Sequence, residues 1–176
     1  MKEVTLKIND IPVTVPEGTR ILDAARKAGF NIPTLCYYKD LTNEGSCRVC
    51  VVEVKGARSL VASCSAVVAE GMEVYTNTPK VLKSRKTTLE LLLSNHEKKC
   101  LSCVRSGNCE LQKLSNEYGC DENHYHGIKT PVNVEEYNAY LATTQSAYFA
   151  AVASQCVTRF SPWASLAQTT ADSILR

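Results

Sequence analysis

Eight potential metal ligands fall into two tight groups along the chain: Cys36, Cys47, Cys50 and Cys64, then His96, Cys100, Cys103 and Cys109. Four thiolates spaced C-x10-C-x2-C-x13-C suit a 2Fe-2S cluster, in which one sulfur reaches over from a loop, two sit on a tight turn and the last returns from the next strand. The second group, spaced H-x3-C-x2-C-x5-C, suits a 4Fe-4S cluster held by one histidine and three cysteines. A neutral imidazole can ligate iron, and it removes one negative charge from the ligand shell, which shifts a cluster potential relative to four thiolates. Structural zinc is the competing chemistry, because zinc also accepts four thiols or three thiols and an imidazole. Against it, ten residues between Cys36 and Cys47 are wide for one half of a zinc knuckle. Taken alone, His96 would read as a cap, a cation near the last carbonyls of a helix; the three cysteines after it favour ligation.

The setting agrees with cluster chemistry. A chain of 176 residues holds one domain or two small ones. Nine cysteines in a sequence that opens Met1-Lys2-Glu3, without a basic start followed by an apolar run, predict a cytoplasmic protein with reduced thiols. The odd count argues against a disulfide scaffold. No run approaches the length of a membrane span. A net charge of +2 with intermixed signs leaves no electrostatic footprint for nucleic acid, so proteins are the expected partners.

The first ligand group needs a scaffold of strands. Val4, Leu6 and Ile8 alternate, as do Ile11, Val13 and Val15, and Asn9-Asp10 lies between the two runs, which predicts a hairpin. After Pro16-Glu17-Gly18, Thr19 is a candidate N-cap for a short helix carrying Ile21, Leu22, Ala25 and Ala28 on one face and closed by Gly29. Two strands and a packed helix begin a β-grasp. Pro33 leads into the loop with Cys36, and Glu44-Gly45-Ser46-Cys47-Arg48-Val49-Cys50 makes the turn, where Gly45 lets the backbone approach inorganic sulfide. Strands are expected at Val51 to Val54, Leu60 to Ala62 and Gly71 to Tyr75. Beyond Pro79, Val81, Leu82, Leu89, Leu91, Leu92 and Leu93 predict an apolar helix ending at Ser94-Asn95-His96, with Lys80, Lys83, Arg85 and Lys86 facing solvent.

This order of elements, with Gly45-Ser46-Cys47-Arg48-Val49-Cys50, resembles the 2Fe-2S domain at the front of iron-only hydrogenases and of the large iron-sulfur subunit of NADH-quinone oxidoreductase. The first gap is longer than in plant-type ferredoxins. Asn95-His96-Glu97-Lys98-Lys99-Cys100-Leu101-Ser102-Cys103, continued by Gly107-Asn108-Cys109-Glu110-Leu111-Gln112, is similar to the segment with one histidine and three cysteine ligands in the same families. The resemblance covers about residues 1 to 130. It implies an α+β chain: a β-grasp 2Fe-2S ferredoxin-like domain over residues 1–78, then a small helical 4Fe-4S domain over 79–130, then an atypical tail over 131–176.

The remaining candidates read more plainly. Leu111, Leu114 and Tyr118 have helical spacing and are packing residues. Cys120 and Cys156 have no partner at ligand intervals and are expected as thiols outside the clusters, while His124 and His126 lie beside Tyr125 in a polar, solvated loop. The acidic residues are scattered as solvated charge. No catalytic constellation, G-x-G-x-x-G or phosphate-binding loop is present in the sequence.

From Tyr137 onward the character changes: residues 137–176 hold nine alanines and only Arg159, Asp172 and Arg176 as charges. One reading is a poorly specified or disordered extension. Back-translation offers another. When each codon joins the third base of one residue to the first two bases of the next, Ser146 to Val157 permit Cys-Val-Leu-Cys-Arg-Arg-Cys-Val-Ala-Val-Cys, the run of a bacterial 4Fe-4S ferredoxin. The single codon of Trp163 followed by Ala164 forces a glycine in the same frame. These strings resemble the stretch beyond the histidine-cysteine segment in the hydrogenase family, and they predict an insertion or deletion near codons 137–142.

The resemblance implies an electron-transfer module of an iron-only hydrogenase or NAD(P)H-linked oxidoreductase, relaying single electrons between a flavin- or NAD(P)H-oxidising subunit or a ferredoxin and a catalytic domain absent from this chain. Its first cluster would lie near the roughly −400 mV of plant-type centres. The front of an NADH dehydrogenase or formate dehydrogenase subunit, or a zinc-stabilised interaction module, are the alternatives.

Overall fold

The computed structural model describes residues 2–39, 45–96, 98–103, 105–120, 124–125, 134–137 and 140–143, the last two stretches through their backbone. Strands β1 (Glu3–Ile8) and β2 (Ile11–Pro16) pair antiparallel, with Val4 opposite Val15 and Leu6 opposite Val13. Asn9 and Asp10 turn the chain with φ of 48° and 66°, as a two-residue hairpin requires and as short polar side chains tolerate. The alternation buries Val4, Leu6, Ile8, Val13 and Val15; Ile11, at the very start of β2, stays exposed.

Helix α1 (Ile21–Lys27) is not capped by Thr19, whose hydroxyl donates back to the Pro16 carbonyl at 2.7 Å. Arg20 holds the cap position and makes no side-chain cap bond. The open amides of the first turn are satisfied from a distant loop instead: Leu22 N–H donates to the Ser63 carbonyl and Ile21 N–H to the Ala66 carbonyl, both at 3.0 Å. A cap residue is unnecessary where tertiary structure supplies the acceptors.

Strands β3 (Val51–Val54), β4 (Val61–Ala62) and β5 (Glu73–Tyr75) complete a five-stranded mixed sheet in the order β2-β1-β5-β3-β4. β5 runs parallel to β1 and antiparallel to β3. Asn9 fastens the end of this central strand, donating to Thr76 Oγ1 at 2.8 Å and accepting the Thr76 N–H at 2.9 Å. The buried face of α1 joins the sheet in a first core built on Leu6, Ile8, Ile21, Leu22, Val52 and Val74.

Helix α2 (Pro79–Asn95) starts at Thr78, whose Oγ1 accepts the Val81 N–H at 3.3 Å and donates to Glu53 Oε2 at 2.6 Å, with Pro79 at the first helical position. Its buried row departs from the sequence expectation. Val81, Arg85, Leu89 and Glu90 are inside, whereas Leu82 and Leu91 are exposed. Residues four apart share a helix face, and the row 81, 85, 89 is the one turned inward. Arg85, expected in solvent, is therefore 1% exposed. Glu90 also departs from the expectation of solvated acids, and its Oε1 lies 3.5 Å from Nδ1 of the more exposed His124.

Helix α3 (Glu110–Glu117) buries Leu114, with Leu111 and Tyr118 packed beside it as expected. These residues, Leu89, Leu35, Cys47, Val49 and Cys120 form a second core between the helices and the cluster turn. A separate antiparallel pair, β6 (Val134–Tyr137) and β7 (Tyr140–Thr143), comes next in the chain. His126, Cys156 and the stretch Ser146 to Val157 lie outside the described residues. No helix among the described residues is long and apolar enough to cross a membrane.

Leu22 is fully buried and Leu82 is 41% exposed. Leu22→Ala should lower the unfolding free energy by about 2–5 kcal/mol, and Leu82→Ala by no more than about 0.5 kcal/mol, in anaerobic denaturant titrations.

Candidate metal centres

The first ligand group converges. Cys36 comes from the loop after α1, Cys47 and Cys50 from the turn before β3, and Cys64 from the turn after β4. The turn is compact because its backbone takes unusual conformations: Gly45 has φ of 67° and the exposed Arg48 has φ of 55°. Gly45 is buried, and a Cβ there would stand 3.2 Å from Ser65 Oγ and 3.6 Å from the Ala62 side chain. Cys50 and Cys64 are fixed to each other's strands by Ser63, whose N–H and hydroxyl both donate to the Cys50 carbonyl, at 3.2 and 2.7 Å. The loop of Cys64 is in turn held by the first-turn amides of α1.

The four thiols stand as two pairs. The Cys36 thiol hydrogen-bonds to Cys47, which pulls the Cys47 thiol down to about 5, while the same bond and burial push Cys36 up. The Cys64 thiol likewise lowers Cys50 to about 6, and that bond and burial raise Cys64. Cys47 N–H also points at Cys36 Sγ, 3.5 Å away, and the backbone at Val49 adds to the stabilisation of a Cys47 thiolate. Cys47, Cys50 and Cys64 are buried and Cys36 is half-buried. Among the described residues no three His, Cys, Asp or Glu side chains meet at one point, as a single metal ion would require. Four thiols in two neighbouring pairs with a backbone amide aimed at sulfur are chemically suited to a binuclear cluster.

Tyr37, directly after Cys36, steadies that loop on α1. Its hydroxyl donates to Asp23 Oδ1 at 3.0 Å, and the Arg26 guanidinium lies 5.2 Å from its ring centroid. Burial, then Asp23, raises the Tyr37 phenol, so it remains a donor. Neither Tyr37 nor Ser63 is marked by ligand spacing; adjacency to Cys36 and Cys64 is the only signal in the sequence.

The second ligand group is arranged along one connection between helices. His96 is the C-cap of α2, its N–H donating to the Leu93 carbonyl at 3.2 Å. Cys100 opens a 3-10 turn (Cys100–Ser102), Cys103 closes it, and Cys109 is the residue before α3. Cys103 N–H donates to the Cys100 carbonyl at 3.3 Å, and Arg105 N–H approaches Cys103 Sγ at 3.4 Å. Cys103 is exposed, and His96, Cys100 and Cys109 are half-buried. These donors are brought to the same stretch of chain without being drawn to a point. One imidazole and three thiols at the ends of two packed helices fit a 4Fe-4S cluster in donor chemistry. Cys120 lies apart in the second core, its Sγ 4.0 Å from the Lys86 carbonyl, and none of the eight described cysteines forms a disulfide.

Residues 1–79 match the 2Fe-2S iron-sulfur cluster binding domain family, and residues 85–124 match the NADH-ubiquinone oxidoreductase-G iron-sulfur binding region. The chain is 48% identical over 132 residues to the NADP-reducing hydrogenase subunit HndD of Solidesulfovibrio fructosivorans, covering 72% of this chain and 23% of that protein. It is 40% identical over 129 residues to the NADH-ubiquinone oxidoreductase 75 kDa subunit of Reclinomonas americana, covering 73% of this chain and 19% of that one. The solved structure of an NAD+-reducing NiFe hydrogenase in the H2-reduced state superposes with a TM-score of 0.69 at 31% identity, over 75% of this chain and 56% of that chain. The chain thus spans under a quarter of either curated relative. The two family matches succeed one another in the same order as the thiol pairs and the histidine-cysteine connection, so the chain carries a 2Fe-2S cluster binding domain followed by an NADH-ubiquinone oxidoreductase-G iron-sulfur binding region, and over that stretch it is similar to subunits of NAD(P)-linked hydrogenases and NADH-quinone oxidoreductases.

Proposed function

We propose that this chain is the front electron-relay module of an NAD(P)-linked hydrogenase, with Cys36, Cys47, Cys50 and Cys64 holding the 2Fe-2S cluster and His96, Cys100, Cys103 and Cys109 the 4Fe-4S cluster. The observation that carries the first assignment is the placement of the four thiols around the short turn from Gly45 to Cys50, with the Cys47 N–H 3.5 Å from Cys36 Sγ. For the parent enzyme, the higher identity to a hydrogenase subunit than to the respiratory subunit favours hydrogenase. The clusters supply one-electron acceptance and release. The chain's own residues fix the sulfurs, exclude water from Cys47, Cys50 and Cys64, and direct amides toward them. The mixed sheet and α1 are a β-grasp in this reading, with residues 1–78 and 79–130 as its two domains. A flavin- or NAD(P)H-oxidising subunit or a ferredoxin is the partner, and the cytoplasm the compartment. The tail beyond an insertion or deletion near codons 137–142 is the shifted reading frame of a ferredoxin-like domain.

Chain purified without oxygen should contain about six irons with equivalent sulfide, and its reduced form should show two paramagnetic signals. Cys50→Ser should remove the first signal and leave the second; Cys103→Ser should do the reverse. Zinc in place of iron, with no reduced-state signal, would defeat the relay assignment. His96→Cys should keep the second cluster and move its midpoint to lower potential, since a fourth thiolate adds negative charge beside the iron; loss of the first signal in that variant would contradict the ligand grouping. Sequencing the gene should show codons at 146–157 that spell C-x2-C-x2-C-x3-C in the shifted frame, and codons spelling none of these cysteines would refute the frame shift.

A further inference from the structure

Arg85 is a cation in a place where charge is expensive. It is 1% exposed on α2, and a buried guanidinium costs several kcal/mol unless its charge is balanced. Deprotonation offers no escape, because arginine keeps its proton in proteins. Nη2 donates to the Val51 carbonyl at 2.8 Å and Nη1 to the Tyr118 hydroxyl at 3.2 Å. Nε is buried and has no acceptor among the described residues. Both acceptors are neutral dipoles. No carboxylate pairs with Arg85 among the described residues; the buried acid on the same helix, Glu90, faces His124.

The location indicates what balances the charge. Val51 directly follows Cys50. Leu89, one turn beyond Arg85 in the same buried row, packs in the second core with Cys47 and Val49. The guanidinium therefore lies against the first residue of β3, where the chain leaves the Cys47–Cys50 turn. A 2Fe-2S cluster on four thiolates is an anion, and it gains one further negative charge on reduction. A fixed cation in a low-dielectric layer beside it favours the reduced form more than the oxidised one.

We propose that Arg85 is a positioning residue that supplies the buried counter-charge of the first cluster, raising its reduction potential and tying the cluster turn, through Val51 and Tyr118, to the helices that flank the second ligand group. This rests on the assignment of Cys36, Cys47, Cys50 and Cys64 as the 2Fe-2S ligands. Tyr118 lies at the end of α3 remote from Cys109, so the effect belongs to the first cluster.

The test is an anaerobic redox titration followed by electron paramagnetic resonance, with iron and sulfide content, on the full chain and on Arg85→Gln and Arg85→Lys. Gln keeps a donor for the Val51 carbonyl but carries no charge; Lys keeps charge and donor. The expected result is a lower first-cluster midpoint in Arg85→Gln, with iron content and second-cluster midpoint unchanged, and a first-cluster midpoint within replicate scatter of the parent in Arg85→Lys. A purely structural role would lower stability in both variants and move neither potential. Arg85→Gln with both clusters intact and the parent midpoint overturns the inference while leaving the ligand assignment standing. If Arg85→Gln fails to assemble its first cluster, Arg85→Leu, which removes the charge without leaving a buried polar head, decides: a lowered first-cluster midpoint supports the inference and the parent midpoint overturns it. A parent chain with no iron on the Cys36 group overturns both.

Discussion

The first thiol group sits where two hydrophobic cores meet, and its geometry depends on both being packed. Cys50 and Cys64 belong to the core beneath the sheet and α1; Cys47 and its neighbour Val49 belong to the core against α2 and α3, with Cys36 packed at its edge. The two thiol pairs therefore lie on opposite sides of one seam. Each core fixes one pair, and the short turn from Gly45 to Cys50 sets the distance between them. Within that turn Arg48 takes a left-handed conformation, which costs roughly 1–2 kcal/mol that packing must offset.

The electrostatics of the site arise from the same seam. Cys47, Cys50 and Cys64 are removed from water, the Cys47 N–H points at Cys36 Sγ, and the Arg85 guanidinium, which water does not reach, donates to the Val51 carbonyl next to Cys50. In a medium of low effective dielectric each of these contributes more than it would at the surface. The second ligand group has little of this. Its connection is anchored at both ends by helix packing, but between them Cys103 is exposed and Leu101 is 104% exposed. The chain thus holds one ligand group whose surroundings are built by tertiary structure, and another whose order comes chiefly from local turns.

Both ligand groups are legible in the sequence because cysteine and histidine spacing is a local property, and the β1–β2 hairpin and α1 because their apolar residues repeat with periods of two and near four. Local pattern does not specify partners across the fold. Thr19 resembles a cap, yet the amides of α1 take their acceptors from residues 63 and 66. Arg85 has the composition of a surface residue, and only the packing of α2 on β3 and α3 turns it inward while leaving Leu82 and Leu91 outside. His124 has the neighbours of a solvated loop, and its contact with Glu90 depends on where the chain returns after α3. The pairing of Cys36 with Cys47 and of Cys50 with Cys64 is likewise a fact of three dimensions.

The position of β5 has a consequence for how the molecule is made. β5 lies between β1 and β3, pairing Ile8 and Val54 with Val74, so the sheet cannot close until residues far along the chain have been synthesised. All four thiols of the first site precede β5 and emerge from the ribosome while the sheet is still open. Pairings this distant in sequence form slowly relative to a hairpin. The β1–β2 hairpin and α1 can therefore form before the strand that joins β1 to β3 is available.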